Sequence, residues 1–250
     1  MVSGPAEAGG RPGLSIVIPA YNEAARLPGS LEKLVATFTD APPPGPYEIV
    51  VVDDGSSDGT AAAAREAGTR LGLPLRVLCL SPNQGKGAAV RAGVLDATGD
   101  WVLVSDADFS TPLSEWTKLA AAGKPVAIGS RAVDRSLVKT PQPLFRVLSG
   151  MLFNRFVKLL AVPGIHDTQC GFKLFRRDAA QAVFSRAVEN RFAFDVEALA
   201  LARHLGFEIA EVPVLWFNSP DSRVSLLAGL SAFGELFRIG RRLRRLRKGV

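Results

Sequence analysis

The chain has 250 residues, 47% hydrophobic and 22% charged, an ordinary globular composition with length for one large or two small domains. Its net charge of +6 belongs to one end: residues 238–248 hold seven basic groups and no acid, and the remainder carries 23 basic against 24 acidic residues. No aromatic platform or known module accompanies that charge, which argues against nucleic acid, and no uncharged apolar run reaches the 18 to 20 or so residues of a transmembrane helix. Two distant cysteines, Cys79 and Cys170, make neither a disulfide framework nor a metal pair and point to a reducing cytoplasm.

Residues 1–13 are rich in Gly, Pro and Ala and read as a disordered leader without a secretory signal. Leu14 to Pro19 reads as a buried strand, followed by Ala20-Tyr21-Asn22-Glu23 and a helix to about Phe38. Beyond the Pro-rich 42–46 comes a second strand, Tyr47 to Val52, ending in Asp53-Asp54-Gly55; Asp58 is placed to cap a helix over 59–71. A third strand, Leu75 to Leu80, leads through Asn83-Gln84-Gly85-Lys86-Gly87 into a helix over 87–96. Trp101 to Val104 is a strand that runs into Asp106-Ala107-Asp108, then a helix over 112–122 and a strand from Pro125 to Gly129. Alternation at this spacing predicts an α/β fold with a mostly parallel central sheet flanked by helices.

Ligands of such sheets bind beyond the carboxyl ends of the strands. Three polar clusters, around Tyr21, around Asp53-Asp54 and at Asp106/Asp108, each follow a strand directly, so parallel pairing puts them on one edge. Two like charges one residue apart repel; alone they are compatible with two loop aspartates, but in this setting they suit Mg²⁺, which takes one or two carboxylates and fills its other positions with water and phosphate oxygens. The first strand is followed by no glycine, which excludes G-x-G-x-x-G dinucleotide binding, and Gln84-Gly85-Lys86-Gly87 lacks the Walker spacing. A sugar nucleotide fits an acid-rich, metal-requiring site: acids for base and ribose, an Asp pair for the diphosphate.

Ile16-Val-Ile-Pro-Ala-Tyr-Asn-Glu23, Val51-Val-Asp-Asp-Gly-Ser-Ser-Asp-Gly-Thr60, Asn83-Gln-Gly-Lys-Gly87 and Asp106-Ala-Asp108 resemble the family 2 glycosyltransferases. Gly129-Ser-Arg131, Asp167-Thr-Gln-Cys-Gly-Phe-Lys-Leu-Phe175 and Arg191-Phe-Ala-Phe-Asp195-Val-Glu197 are similar to the polyprenyl-phosphate (dolichyl-phosphate) glucosyl- and mannosyltransferase branch, nearer its glucosyl side. The resemblance runs over about 14–225. It implies a GT-A-type fold, with a nucleotide-sugar half over 14–130 and an acceptor half over 131–225. The implied reaction is inverting, metal-dependent transfer of a hexose, glucose from UDP-glucose, to a polyprenyl phosphate. Carried over residue by residue, Pro19, Ala20, Tyr21, Glu23, Asp53, Asp54, Gly55, Lys86, Ala107 and Arg223 would bind the donor. Asp106 and Asp108 would hold Mg²⁺ or Mn²⁺, Arg131 the acceptor phosphate, and Asp167 and Gln169 would sit near the sugar. A rival with a hydroxyl acceptor would need a base, for which Asp167 is the candidate; a non-catalytic nucleotide-sugar-binding protein is the rival of another class.

Residues 131–143 read either as a solvated loop or as a lid carrying Arg131, whose planar fork suits a phosphate. Helix 144–162, apolar nearly all round, is either core or an interfacial helix under a lipid. His166 and His204 make no zinc site. Asp195 and Glu197, flanked by Phe192, Phe194 and Val196, are expected to be partly buried, one of them paired with an arginine. In the tail, 226–250, Ala232, Leu236, Ile239, Leu243, Leu246 and Val250 are spaced 4, 3, 4, 3 and 4 apart, one apolar stripe beside the basic groups. That pattern predicts an amphipathic helix, lying peripherally on an anionic membrane on its cytoplasmic side or packed on the domain.

Overall fold

The computed structural model describes residues 11–139, 162–218, 234–235 and 238–242. The elements are β1 (Leu14–Ala20), α1 (Leu27–Asp40), β2 (Tyr47–Asp53), α2 (Thr60–Arg70), β3 (Leu75–Cys79), α3 (Lys86–Asp96), β4 (Trp101–Val104), α4 (Trp116–Ala121), β5 (Val126–Ser130), β6 (Lys173–Arg176), α5 (Arg177–Phe184), α6 (Phe194–His204) and β7 (Ile209–Pro213). Every element expected from the first half of the sequence is present. The helix expected over 112–122 is divided, with a 3₁₀ turn at Leu113–Glu115 before α4. Asp58 does not occupy the cap of α2; Gly59 does, at φ +86°. Asp58 instead accepts hydrogen bonds from Thr60 N (3.0 Å) and Ala24 N (3.0 Å), tying the helix start to the segment after β1. Pro12 and Gly13, assigned to the leader by composition, already bond to Asp100 and to Pro46 and Trp101.

Among the described residues seven strands form one sheet in the order β3-β2-β1-β4-β6-β5-β7. All neighbours run parallel except β6, which is antiparallel to both β4 and β5. β1 shows why the inner strands are continuously apolar. Leu14, Ile16 and Ile18 enter the core on one face, with α1 and α2; Val17 enters the core on the other, with α3, α5 and α6. Burial on both faces removes the polar alternation of a half-exposed strand.

The topology gathers the loops. β1 lies between β2 and β4, so the chain switches sides of the sheet there, and a crevice opens at the carboxyl ends of these strands. Because β6 is antiparallel, its first residue rather than its last lies at that edge, with Lys173 opposite Val104 and Ile128. The segment before β6, from Asp167 to Gly171, therefore reaches the same crevice as Asp106 and Arg131.

Candidate active site

On the donor side, Asp53 ends β2 and accepts the Ser56 N–H at 3.0 Å. Asp54 is 3% exposed, and its two oxygens accept from Asn83 Nδ2, Gln84 N and Gly85 N, each at 2.8 Å. The resemblance puts Asp54 with Asp53 at the donor; its carboxylate is engaged by the loop that leads into Lys86. Gly55, at φ +70°, lies so close to that loop that a Cβ would stand 2.7 Å from Asn83 N. Glu23 pairs with Arg26 at 2.5 Å, Tyr21 is 46% exposed, and Ala20 and Ala107 are buried. Pro19 is buried within β1. Arg223 and, up to residue 161, the helix expected over 144–162 lie outside the described residues.

The Asp pair opens on a cleft of about 480 Å³, counting space open to solvent, lined by Asp106, Asp108, Arg131, Gln169, Gly171 and Trp216 among others. Asp108 Oδ1 accepts from Ser110 N at 2.9 Å, while Oδ2 is 3.9 Å from Arg26 Nη1. Asp106 Oδ1 is buried without a well-formed hydrogen bond, and the Lys86 ammonium stands 2.6 Å from it. Burial works against the Lys86 charge, but Asp106, Asp195 and Asp108 outweigh it and raise its pKa above the ordinary lysine value. The chemistry of this donor set fits a divalent ion shared with a diphosphate: two carboxylates with hard oxygen donors in one cleft, one of them beside a lysine, and space for phosphate next to them. No group of three or more His, Cys, Asp or Glu capable of holding a metal occurs among the described residues, so substrate and water would complete the coordination.

Facing the pair is Arg131, just after β5. Its N–H, Nε and Nη2 donate to Asp167 at 3.0, 2.7 and 2.9 Å, and its guanidinium lies over the Trp216 ring at 5.5 Å. Burial alone would raise the Asp167 pKa; the Arg131 charge and hydrogen bonds outweigh it and hold the carboxyl below the usual range. A carboxylate so committed is a poor base, which counts against its use for a hydroxyl acceptor. It accepts three hydrogen bonds from Arg131. Gln169 Nε2 is buried in the same cleft with no hydrogen-bond partner among the described residues.

Glu211, which sequence reasoning missed, fixes this corner. It accepts from Ser130 Oγ (2.8 Å), Asp167 N (2.7 Å) and His166 N (2.8 Å). No spacing signal marks it, because its partners are 44 and 45 residues away at the loop and 81 away at Ser130. Of the two acids on α6, Glu197 pairs with Arg242 at 2.5 Å as expected of one of them, whereas Asp195 pairs with Lys173.

The lowered Asp167 pKa gives a signed expectation. The ionised carboxylate stabilises the fold at every pH above the unfolded value of about 3.9, and that contribution is lost only as pH falls through the lower folded value. The melting-temperature gap between the native chain and Asp167→Asn should be constant from pH 8 to 5 and shrink below about pH 4. A gap already closing near pH 6 would show that Asp167 is not held ionised.

Comparison with known proteins identifies the scaffold. The sequence profile of Glycosyl transferase family 2 matches residues 15–184. The chain belongs to that family. This glycosyltransferase is 40% identical over 225 residues to the dolichyl-phosphate beta-glucosyltransferase of Drosophila melanogaster, covering 85% of this chain and 69% of the relative. It is 37% identical to the Homo sapiens protein of the same name, covering 84% and 69%. Among solved structures it resembles glucosyl-3-phosphoglycerate synthase from Mycobacterium tuberculosis in complex with UDP (TM-score 0.64, 18% identity, 92% of this chain and 80% of that one). It also resembles a mannosyltransferase from Pyrobaculum calidifontis in complex with GDP-Man and Mn²⁺ (TM-score 0.62, 22% identity, 93% and 65%). These structural likenesses establish the GT-A-type fold of the enzyme.

Proposed function

We propose that this glycosyltransferase moves glucose from UDP-glucose to dolichyl phosphate or a related polyprenyl phosphate, with Mg²⁺ or Mn²⁺ held by Asp106 and Asp108. The observation that carries this reading is the cleft itself: the Asp pair and Arg131 open on one space, and the carboxylate nearest Arg131 is tied to it. Such a site is built for an acceptor that arrives already anionic. The dolichyl-phosphate beta-glucosyltransferases of fly and human, similar over most of the chain, support the same acceptor and sugar.

The residues divide the work as follows. Asp53 and the exposed Tyr21 receive the nucleoside. Lys86 stands at the start of α3, within reach of a diphosphate beside Asp106. A divalent ion bound by the Asp pair would neutralise the charge developing on the leaving diphosphate. Arg131 offers Nη1, its remaining guanidinium nitrogen, to the acceptor phosphate, and Gln169 Nε2 offers a donor to the sugar. An acceptor phosphate oxygen attacks the anomeric carbon from the face opposite the diphosphate, and the bond to UDP breaks with inversion. Since the phosphate is already deprotonated, positioning carries much of the rate.

No helix among the described residues is long and apolar enough to cross a membrane. In this reading the lipid is reached by peripheral docking, for which the seven basic groups of residues 238–248 supply the charge. Part of the tail is already used for packing: Ile239 is 2% exposed in the domain core, and Arg242 and Arg238 pair with Glu197 and Glu189. Any membrane contact falls to the other basic and apolar tail positions and to the 144–162 segment. One assay tests the proposal. UDP-glucose with polyprenyl phosphate in anionic vesicles should give lipid-linked glucose, at a rate that falls as salt rises. Transfer to polyprenol or a soluble sugar, with none to the lipid phosphate, would sink the reading.

A further inference from the structure

A charged pair lies behind this site, out of contact with solvent. Lys173, the first residue of β6, and Asp195, the second residue of α6, have side chains 2% and 6% exposed. Lys173 Nζ donates to Asp195 Oδ1 and to the Cys170 carbonyl, both at 2.5 Å. Stability alone does not account for the pair, because a well-packed apolar pair is often as stable as a buried ion pair. Burial raises the Asp195 pKa, with Lys173 and Lys86 offsetting it in part, so ionisation there is held at a cost.

What lies on either side of the pair gives its use. In one direction, Asp195 adds its negative field to Lys86, whose ammonium stands 6.0 Å from the centre of the Phe194 ring and 2.6 Å from Asp106 Oδ1. In the other direction, Lys173 fixes the Cys170 carbonyl, and the next residue is Gly171. That glycine packs on the same aspartate so closely that a Cβ would fall 2.1 Å from Asp106 Oδ2. The buried pair thus adjoins both approaches to the Asp106 carboxylate: Phe194, next to Asp195, lies by the ammonium at one oxygen, and Gly171, next to the Cys170 carbonyl, forms the backbone wall at the other.

We infer that Lys173 and Asp195 are positioning residues for Asp106, holding its carboxylate between Lys86 and Gly171 in the orientation that binds the divalent ion. The inference rests on the reading of Asp106 as a metal-side carboxylate, and the test separates the two. Mn²⁺ binding to the full chain with UDP is measured by electron paramagnetic resonance for the native protein, Asp106→Asn and the apolar pair Lys173→Met/Asp195→Leu, alongside melting temperatures and steady-state kinetics. The double variant should stay folded and bind Mn²⁺ about 10- to 100-fold more weakly, the loss usual for groups supporting a metal ligand. Its kcat should fall while KM for the lipid phosphate is kept. Asp195→Asn, which keeps the shape of the pair and removes one of its charges, should weaken Mn²⁺ in the same range, and it carries the test if the double variant does not fold. Mn²⁺ bound as tightly by Asp106→Asn as by the native protein would overturn the metal assignment and the inference with it. Mn²⁺ lost by Asp106→Asn but bound normally by the folded double variant, or by Asp195→Asn if that alone folds, would overturn the positioning role only.

Discussion

Asp108→Ala is expected to lower kcat by about 10³-fold or more with every donor, roughly 4 kcal/mol of transition-state stabilisation. The fold should hardly notice. Asp108 takes one backbone hydrogen bond, from Ser110, and stands 3.9 Å from Arg26, so its loss opens no core cavity and leaves no buried countercharge alone. Chemistry has more at stake, since the carboxylate is one of the two proposed to hold the divalent ion in the cleft. Removing it leaves Asp106 to hold a divalent ion beside a diphosphate that departs with growing negative charge. Initial rates across a Mn²⁺ and Mg²⁺ titration, with circular dichroism as the folding control, make the measurement. A variant within tenfold of the native rate at saturating metal, or full native activity in a chelator, would remove the Asp pair from the mechanism.

The second large effect is expected at Arg131, and it divides into stability and function. Arg131→Met strips the buried Asp167 of its partner, and breaking one side of a buried ion pair costs about 3–5 kcal/mol. For a chain of this size that lowers the melting temperature by roughly 6–20 °C. Arg131→Asn in place of methionine would bring the same loss, whereas Arg131→Met with Asp167→Asn removes both charges and should recover most of the stability. Transfer should not recover with it. The double variant lacks the guanidinium, so KM for the lipid phosphate should rise and kcat fall while UDP affinity is retained. Arg131→Lys keeps the charge and loses the planar fork that spans both Asp167 oxygens, so it should fall between native and double variant. Thermal melts and acceptor kinetics on the set decide the matter. Recovery of full activity by Arg131→Met/Asp167→Asn would show that the pair is a structural clamp with no part in acceptor binding.

The first half of the fold was legible because its physics is local. A strand buried on both faces must be apolar throughout, and Ile16, Val17 and Ile18 satisfy that with no knowledge of their neighbours. An acid placed directly after such a strand must lie at the carboxyl edge of a parallel sheet, so Asp53, Asp106 and Asp108 could be gathered from spacing alone. The motif resemblance added the family and the direction of transfer. Other features were settled only by the tertiary structure. β6 is four residues, too short for its pattern to declare a strand, and its antiparallel run brings Asp167 to Gly171 to the edge where Asp106 stands. Nothing in the run from Asp167 to Phe175 marks Lys173 as buried, yet the fold seats it on Asp195. Asp54 and Asp167, which the resemblance put at the donor and near the sugar, are each engaged by protein partners, one by the loop of Lys86 and the other by Arg131. The reason is common to all three. A carboxylate or ammonium takes its role from the partner that reaches it, and here the partners lie 22 to 36 residues away, a separation that the fold closes and that spacing along the chain does not encode.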